Sequence, residues 1–236
     1  MKILMIHGSR QSGELFRAKL QALEKQIHRA IPLPDGIELV YPTAPFALDP
    51  SNGSSTELRN RHGSWSWFDT ESVDGLYPGL ETSLESIASI LKDSGPFDGI
   101  IGFSQGAAMA AMVASLLEGN RKDVFARLEQ EGGMSYPACF DSLEHPPLKF
   151  VVSISGYGAS DLAYRAFYDP GVRTPVMHFL GSMDTVVDES ASMRLVESCL
   201  EDGKKRIVVW HSGGHVVPSG KRELAAVAHF IKSNVS

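Results

Sequence analysis

The chain has 236 residues, 43% of them hydrophobic, and a formal net charge of -6, enough apolar material for one well-buried domain over 1–236. An acidic chain without a Lys/Arg-rich run is a poor match for nucleic acid, and apolar runs no longer than a strand leave nothing to cross a bilayer. Two cysteines, Cys139 and Cys199, make no disulfide framework, so the expectation is a soluble cytoplasmic protein, monomeric or homodimeric.

Lys2–Ile6 is the first strand-like run. It begins like a signal peptide, but His7-Gly8-Ser9-Arg10 interrupts it too early for an h-region. In Ser12–Ala30 the residues Phe16, Leu20, Leu23 and Ile27 recur at helical spacing. A second strand is expected at Ile37–Tyr41. Pro42–Gly75 then forms a long loop carrying Pro45, Pro50, Gly53 and the cluster Trp65-Ser66-Trp67-Phe68-Asp69. Tyr77–Lys92 returns to helical spacing through Leu84, Ile87, Ala88 and Leu91. Next come a strand at Asp98–Phe103 and a small-residue helix at Gln105–Leu117. A second long stretch, Gly119–Pro147, combines helix-prone Arg121–Glu131 with Gly132-Gly133 and Pro146-Pro147. Strands at Lys149–Ser153, Pro175–Leu180 and Arg206–Trp210 follow, with helices at Ser190–Leu200 and Lys221–Ser233. The alternation predicts an α/β fold, a mainly parallel six-stranded sheet flanked by helices. Long loops in such domains act as lids or binding loops, and 119–147 is the lid candidate.

Gly102-Phe103-Ser104-Gln105-Gly106 sits between a strand and a helix, the setting that turns Gly-x-Ser-x-Gly into a nucleophile elbow with Ser104 at its apex. In that architecture the triad follows the order Ser, acid, His along the chain. His215, after the last strand and Gly213-Gly214, fits the base; His211, at the strand end, is the rival. Asp184 lies just past the strand Pro175–Leu180 and fits the acid. The alternative, Asp188, precedes a helix and reads equally as an N-cap. His178, inside a strand, reads as core. Two backbone N–H groups should form the oxyanion hole: that of Gln105, and that of Ser9 after the first strand, with Arg10 the next choice. No metal or organic cofactor is required. The sheet should reverse its winding between the strands that end at Ser9 and Ser104, and ligands bind beside such a reversal.

Trp67 and Phe68 read either as loop anchors or as an acyl-pocket wall. Trp65 is the better wall candidate of the two tryptophans, and Tyr136 and Tyr157 are further substrate-binding candidates. The segment Ala163–Phe167 could add another wall.

Taken together, Gly102–Ala108, His7-Gly8 with Gln11-Ser12-Gly13 and Phe16-Arg17, Trp67-Phe68-Asp69, Gly181-Ser182-Met183-Asp184 and Gly214-His215 resemble the fungal-type family of serine hydrolases. That family belongs to the α/β-hydrolase superfamily, includes the polyketide-releasing thioesterase of the lovastatin pathway, and has acyl-protein thioesterases and carboxylesterases as relatives. The resemblance implies a triad of Ser104, Asp184 and His215, with Ser9 and Gln105 as oxyanion donors. It also implies a small acyl ester or thioester as substrate, and release of a polyketide or fatty-acyl chain from an acyl carrier protein. The alternatives are a general carboxylesterase or acyl-protein thioesterase, and a non-catalytic binding protein on the same fold. Gly119–Pro147 matches no motif of the family.

Overall fold

The computed structural model describes residues 1–48, 63–200 and 206–235; Pro50 and Gly53 of the first long loop lie outside the described residues. In chain order the strands are β1 (Lys2–Ile6), β2 (Glu38–Val40), β3 (Phe46–Ala47), β4 (Trp65–Ser66), β5 (Gly99–Phe103), β6 (Phe150–Ile154), β7 (Val176–Gly181) and β8 (Arg206–His211). The helices are α1 (Gly13–Ala30), α2 (Leu80–Ser94), α3 (Gln105–Leu116), α4 (Arg121–Glu129), α5 (Arg165–Tyr168), α6 (Glu189–Glu197) and α7 (Lys221–Val235). Six strands form one parallel sheet in the order β2-β1-β5-β6-β7-β8, while β3 and β4 pair separately as an antiparallel ribbon.

Strand alternation divides the core in two. Ile3 and Met5 of β1 face the side covered by Phe16, Leu20 and Leu23 of α1 and Phe230 of α7. Leu4 and Ile6 face Leu84 and Ile87 of α2 and Met109 and Val113 of α3. The inner strands β5 and β6 are buried along their whole length, as a sheet covered on both faces requires. Every residue of α3 is buried, and its alanines and Gly106 let it lie close on β5, β1 and β6. Ser12 caps α1 by accepting the Leu15 N–H. The chain leaves β1 toward β2 on one side and returns through β5 on the other, so the winding reverses between β1 and β5.

The residues of the lid candidate, 119–147, are anchored in the core. They fold into α4 and a short 3-10 turn, Ala138–Phe140, whose Phe125, Leu128 and Phe140 are buried in the core beside α3 and α5. An ion pair fixes the start of α4: Arg121, buried, reaches Glu118 at 2.9 Å and donates to the carbonyls of Ala166 and Pro170.

Candidate active site

The carboxyl ends of β1 and β5 supply the first parts of the site. Ser104 follows β5 directly and takes φ 54° and ψ -121°, a left-handed backbone that a β-carbon residue pays for with about 1–3 kcal/mol. Two glycines make the turn sterically feasible. A β-carbon on Gly102 would stand 2.3 Å from the Gly106 carbonyl, and one on Gly106 would stand 2.2 Å from the Ile6 carbonyl. The strained serine heads the 12-residue helix α3, whose amino end favours negative charge.

The second strand end lies against the first. A methyl on Gly8 would be 3.1 Å from the Ser104 β-carbon. His7 is fully buried: its Nε2 accepts the Ala44 N–H at 3.0 Å, so Nδ1 carries the proton and donates to the Gly8 carbonyl at 2.7 Å. Burial, partly offset by that hydrogen bond, holds its pKa down to about 4. The Arg10 N–H donates to the Trp65 carbonyl at 2.8 Å, which removes it as an oxyanion donor. Among the described residues the Ser9 N–H meets no backbone carbonyl, and Gln105 is the first residue of α3, where the N–H has no intrahelical carbonyl to reach.

The acid and base meet across two other loops. Asp184 Oδ2 accepts from His215 Nδ1 at 2.7 Å, and Oδ1 accepts the N–H groups of Val186 and Val187 at 2.9 and 3.0 Å. Burial pushes the Asp184 carboxyl up, but the N–H of Val187, the imidazole of His215 and the N–H of Val186 outweigh it, and the net shift is below the ordinary carboxylate value. The His215 ring packs on Phe103, next to Ser104 in the chain, with ring centroids 4.9 Å apart. The rivals have other employment. Asp188 caps α6, accepting from the Ser190 N–H and hydroxyl. His211 Nδ1 accepts the Gly213 N–H at 3.2 Å. His178 is buried in β7.

A cavity of about 800 Å³ opens over Ser104 and Gln105. Phe46, Leu48, Phe68, Tyr157, Val186 and Val187 are among the residues that line it, as are Ser9 and Arg10. Of the expected wall residues, Phe68 and Tyr157 line this cavity, and three others do not. Trp67 is a fully buried anchor whose indole N–H donates to the His7 carbonyl at 2.9 Å. The Trp65 side chain packs, partly buried, against the core cluster that holds Trp67 and Phe68, and Tyr136 packs edge-on against Phe125, its hydroxyl toward the Leu116 carbonyl. Tyr164 and Phe167 lie in the core.

Sequence reasoning assigns Gln105 only its backbone N–H. Its buried side chain also clamps the loop before α2: Oε1 accepts the Trp67 N–H at 2.8 Å and Nε2 donates to the Phe68 carbonyl at 2.7 Å. Ser66 Oγ lies 2.8 Å from the Phe68 carbonyl and 3.0 Å from Gln105 Oε1, and donates to one of them. Chemically, the arrangement places a strained hydroxyl, an imidazole anchored by a carboxylate and two backbone N–H groups at one end of the sheet.

Known proteins share this sequence and this fold. The family model described as "Serine hydrolase (FSH1)" matches residues 1–227. A Schizosaccharomyces pombe protein named "Dihydrofolate reductase" is 33% identical over 92% of this chain but only 44% of its own length. The chain thus spans about half the length of that protein and of a second fission-yeast relative. "Esterase OVCA2" of Danio rerio is 30% identical over 98% of this chain and 96% of its own. Among solved structures, Zea mays acyl-protein thioesterase 2 superposes with a TM-score of 0.59 at 22% identity, covering 100% of this chain and 94% of that one, which establishes a shared α/β-hydrolase fold.

Proposed function

We propose that this chain, which belongs to the serine hydrolase (FSH1) family, is an enzyme that hydrolyses acyl thioesters or esters with Ser104 as nucleophile, His215 as general base and Asp184 as the group that orients the imidazole. The observation that carries this reading is the 2.7 Å contact between Asp184 Oδ2 and His215 Nδ1. It leaves Nε2 of the imidazole to take a proton, and an ionised Asp184 stabilises the imidazolium that results. Ser104 Oγ attacks the acyl carbon as its proton passes to His215. The oxyanion is received by the N–H groups of Gln105 and Ser9, at the amino end of α3. Collapse of the tetrahedral intermediate expels the leaving group as an alcohol or thiol that takes the proton from His215, or as a thiolate while His215 gives its proton to solvent, so the imidazole is neutral again. Water, deprotonated by His215, then releases the acid and regenerates Ser104.

The substrate side rests on the cavity. Phe46, Leu48, Phe68 and Val186 line it, and each buried methylene of an acyl chain is worth about 0.8 kcal/mol. We assign the cavity to the acyl chain, with a polyketide or fatty-acyl group on a carrier protein as the donor. A panel of acyl thioesters checks this: octanoyl should exceed acetyl by roughly tenfold or more in kcat/KM. Octanoyl carrier protein should in turn exceed octanoyl pantetheine. Equal rates for acetyl and octanoyl would remove the acyl slot, and equal rates for the two octanoyl donors would leave a general esterase or acyl-protein thioesterase, the activity named in the zebrafish and maize proteins.

A further inference from the structure

The oxyanion donor from the first loop is a backbone group in a loop, and something must fix its direction. The Ser9 N–H and the Gly8 carbonyl belong to the same peptide, which is planar and, when trans, points the two groups in opposite directions. Whatever holds the Gly8 carbonyl therefore also aims the Ser9 N–H. That carbonyl is held by the His7 side chain, whose Nδ1 lies 2.7 Å away.

The imidazole is itself held on three sides. Its Nε2 accepts the Ala44 N–H at 3.0 Å, which is possible only for a ring with a lone pair at Nε2 and fixes the proton on Nδ1. Its ring packs against the Trp67 indole, tilted by 38° with centroids 5.2 Å apart. The same indole donates to the His7 carbonyl at 2.9 Å, so backbone and side chain of His7 are pinned by one neighbour. The residue is fully buried, and water cannot compete for the Gly8 carbonyl.

We propose that His7 is a positioning residue for hydrolysis: as the neutral Nδ1–H tautomer it locks the Gly8–Ser9 peptide plane so that the Ser9 N–H faces the developing oxyanion. The inference rests on the oxyanion hole assigned to Ser9 and Gln105 above. The clamp touches neither substrate nor reacting atoms. It removes the need for the peptide to reorient during the reaction, and preorganised donors cost no reorganisation at the moment charge develops. Loss of the clamp should therefore appear in the transition state and not in substrate binding.

Three variants separate this role from simple core packing. His7→Asn places an amide N–H near the Nδ1 position, His7→Gln places its amide near Nε2, and His7→Leu supplies neither. With a medium-chain acyl thioester, His7→Leu should lose on the order of 10² in kcat with KM changed less than about threefold, the scale for removing one oxyanion donor. Inhibition by a trifluoromethyl ketone, a tetrahedral mimic, should weaken by a similar factor. His7→Asn should recover about tenfold or more of the lost kcat, and His7→Gln should not. Recovery by Gln and not Asn, or full kcat in a folded Leu variant, would overturn the inference. Should the variants fail to fold, the wild-type imidazole ¹⁵N spectrum decides: protonation at Nδ1 is required, and protonation at Nε2 refutes it. Turnover by Ser104→Ala would instead refute Ser104 as the nucleophile, the reading on which the inference rests.

Discussion

The side chain of Gln105 is hydrogen-bonded to the backbone of Trp67, 38 residues earlier in the chain, at 2.8 Å. One residue thus offers its N–H toward the site and uses its amide to fasten the loop that bears Phe68, a wall of the cavity.

Replacing Gln105 tests that fastening. In Gln105→Ala the Trp67 N–H and the Phe68 carbonyl lose a buried partner, at about 1–3 kcal/mol for each group left unsatisfied. Gln105→Glu keeps the shape but turns an acceptor toward the Phe68 carbonyl, and it should be at least as destabilising. Urea unfolding at pH 7 measures both, and a Glu variant as stable as wild type would show that the clamp contributes nothing.

Asp184 and Asp188 sit four residues apart and should differ sharply. Asp184→Asn removes the charge that holds His215 in its tautomer and should lower kcat severely, of order 10⁴ in the worked serine-protease case. Asp188→Asn keeps an oxygen to accept from Ser190, and Asn caps helices as well as Asp, so stability and turnover should stay close to wild type. Steady-state kinetics of the two variants decides between them. A larger loss in Asp188→Asn would move the acid.

Two buried histidines should make the fold acid-sensitive. Burial, less the effect of the Gly8 hydrogen bond, lowers the pKa of His7 to about 4, and burial followed by the Arg206 charge lowers that of His178 to about 3. In the unfolded chain both titrate near 6.5. Below that value the unfolded state takes up protons that the folded imidazoles refuse, so their contribution to stability is complete above pH 6.5 and declines as pH falls. At about 1.4 kcal/mol per pH unit, each should account for about 2 kcal/mol of lost stability by pH 5. Unfolding free energies at pH 7 and pH 5 give the loss, and His178→Gln should reduce it by about 2 kcal/mol. An unchanged loss in that variant would exclude His178 from the effect.

What the sequence reveals depends on how local the signal is. The sheet strands and α1 are legible because their apolar spacing is written in consecutive residues: Ile3 and Met5 against Leu4 and Ile6, Phe16 through Ile27. The elbow is legible because two glycines within five residues report a close approach that both strand and helix require. The two-residue strands β3 and β4 carry no periodicity, and their pairing with each other lies beyond local pattern. Tyr136 and Trp65 are misplaced at the cavity because loop length and aromaticity say nothing of direction. The spacing of Phe125 and Leu128 on α4 could have turned 119–147 toward the core. Phe46 of β3, Leu48 just after it and Val186 reach the cavity from two segments far apart in the chain, a convergence that only the fold creates.

The central claim is that Ser104 is the nucleophile. Treating the protein with a fluorophosphonate and mapping the adduct by peptide mass spectrometry tests it most directly, with Ser104→Ala as the paired control. One adduct is expected, on Ser104, and the Ser104→Ala variant should stay folded, take no label and lose at least about 10³-fold in kcat. Labelling of a different residue, or a Ser104→Ala variant that turns over at the wild-type rate, would contradict it.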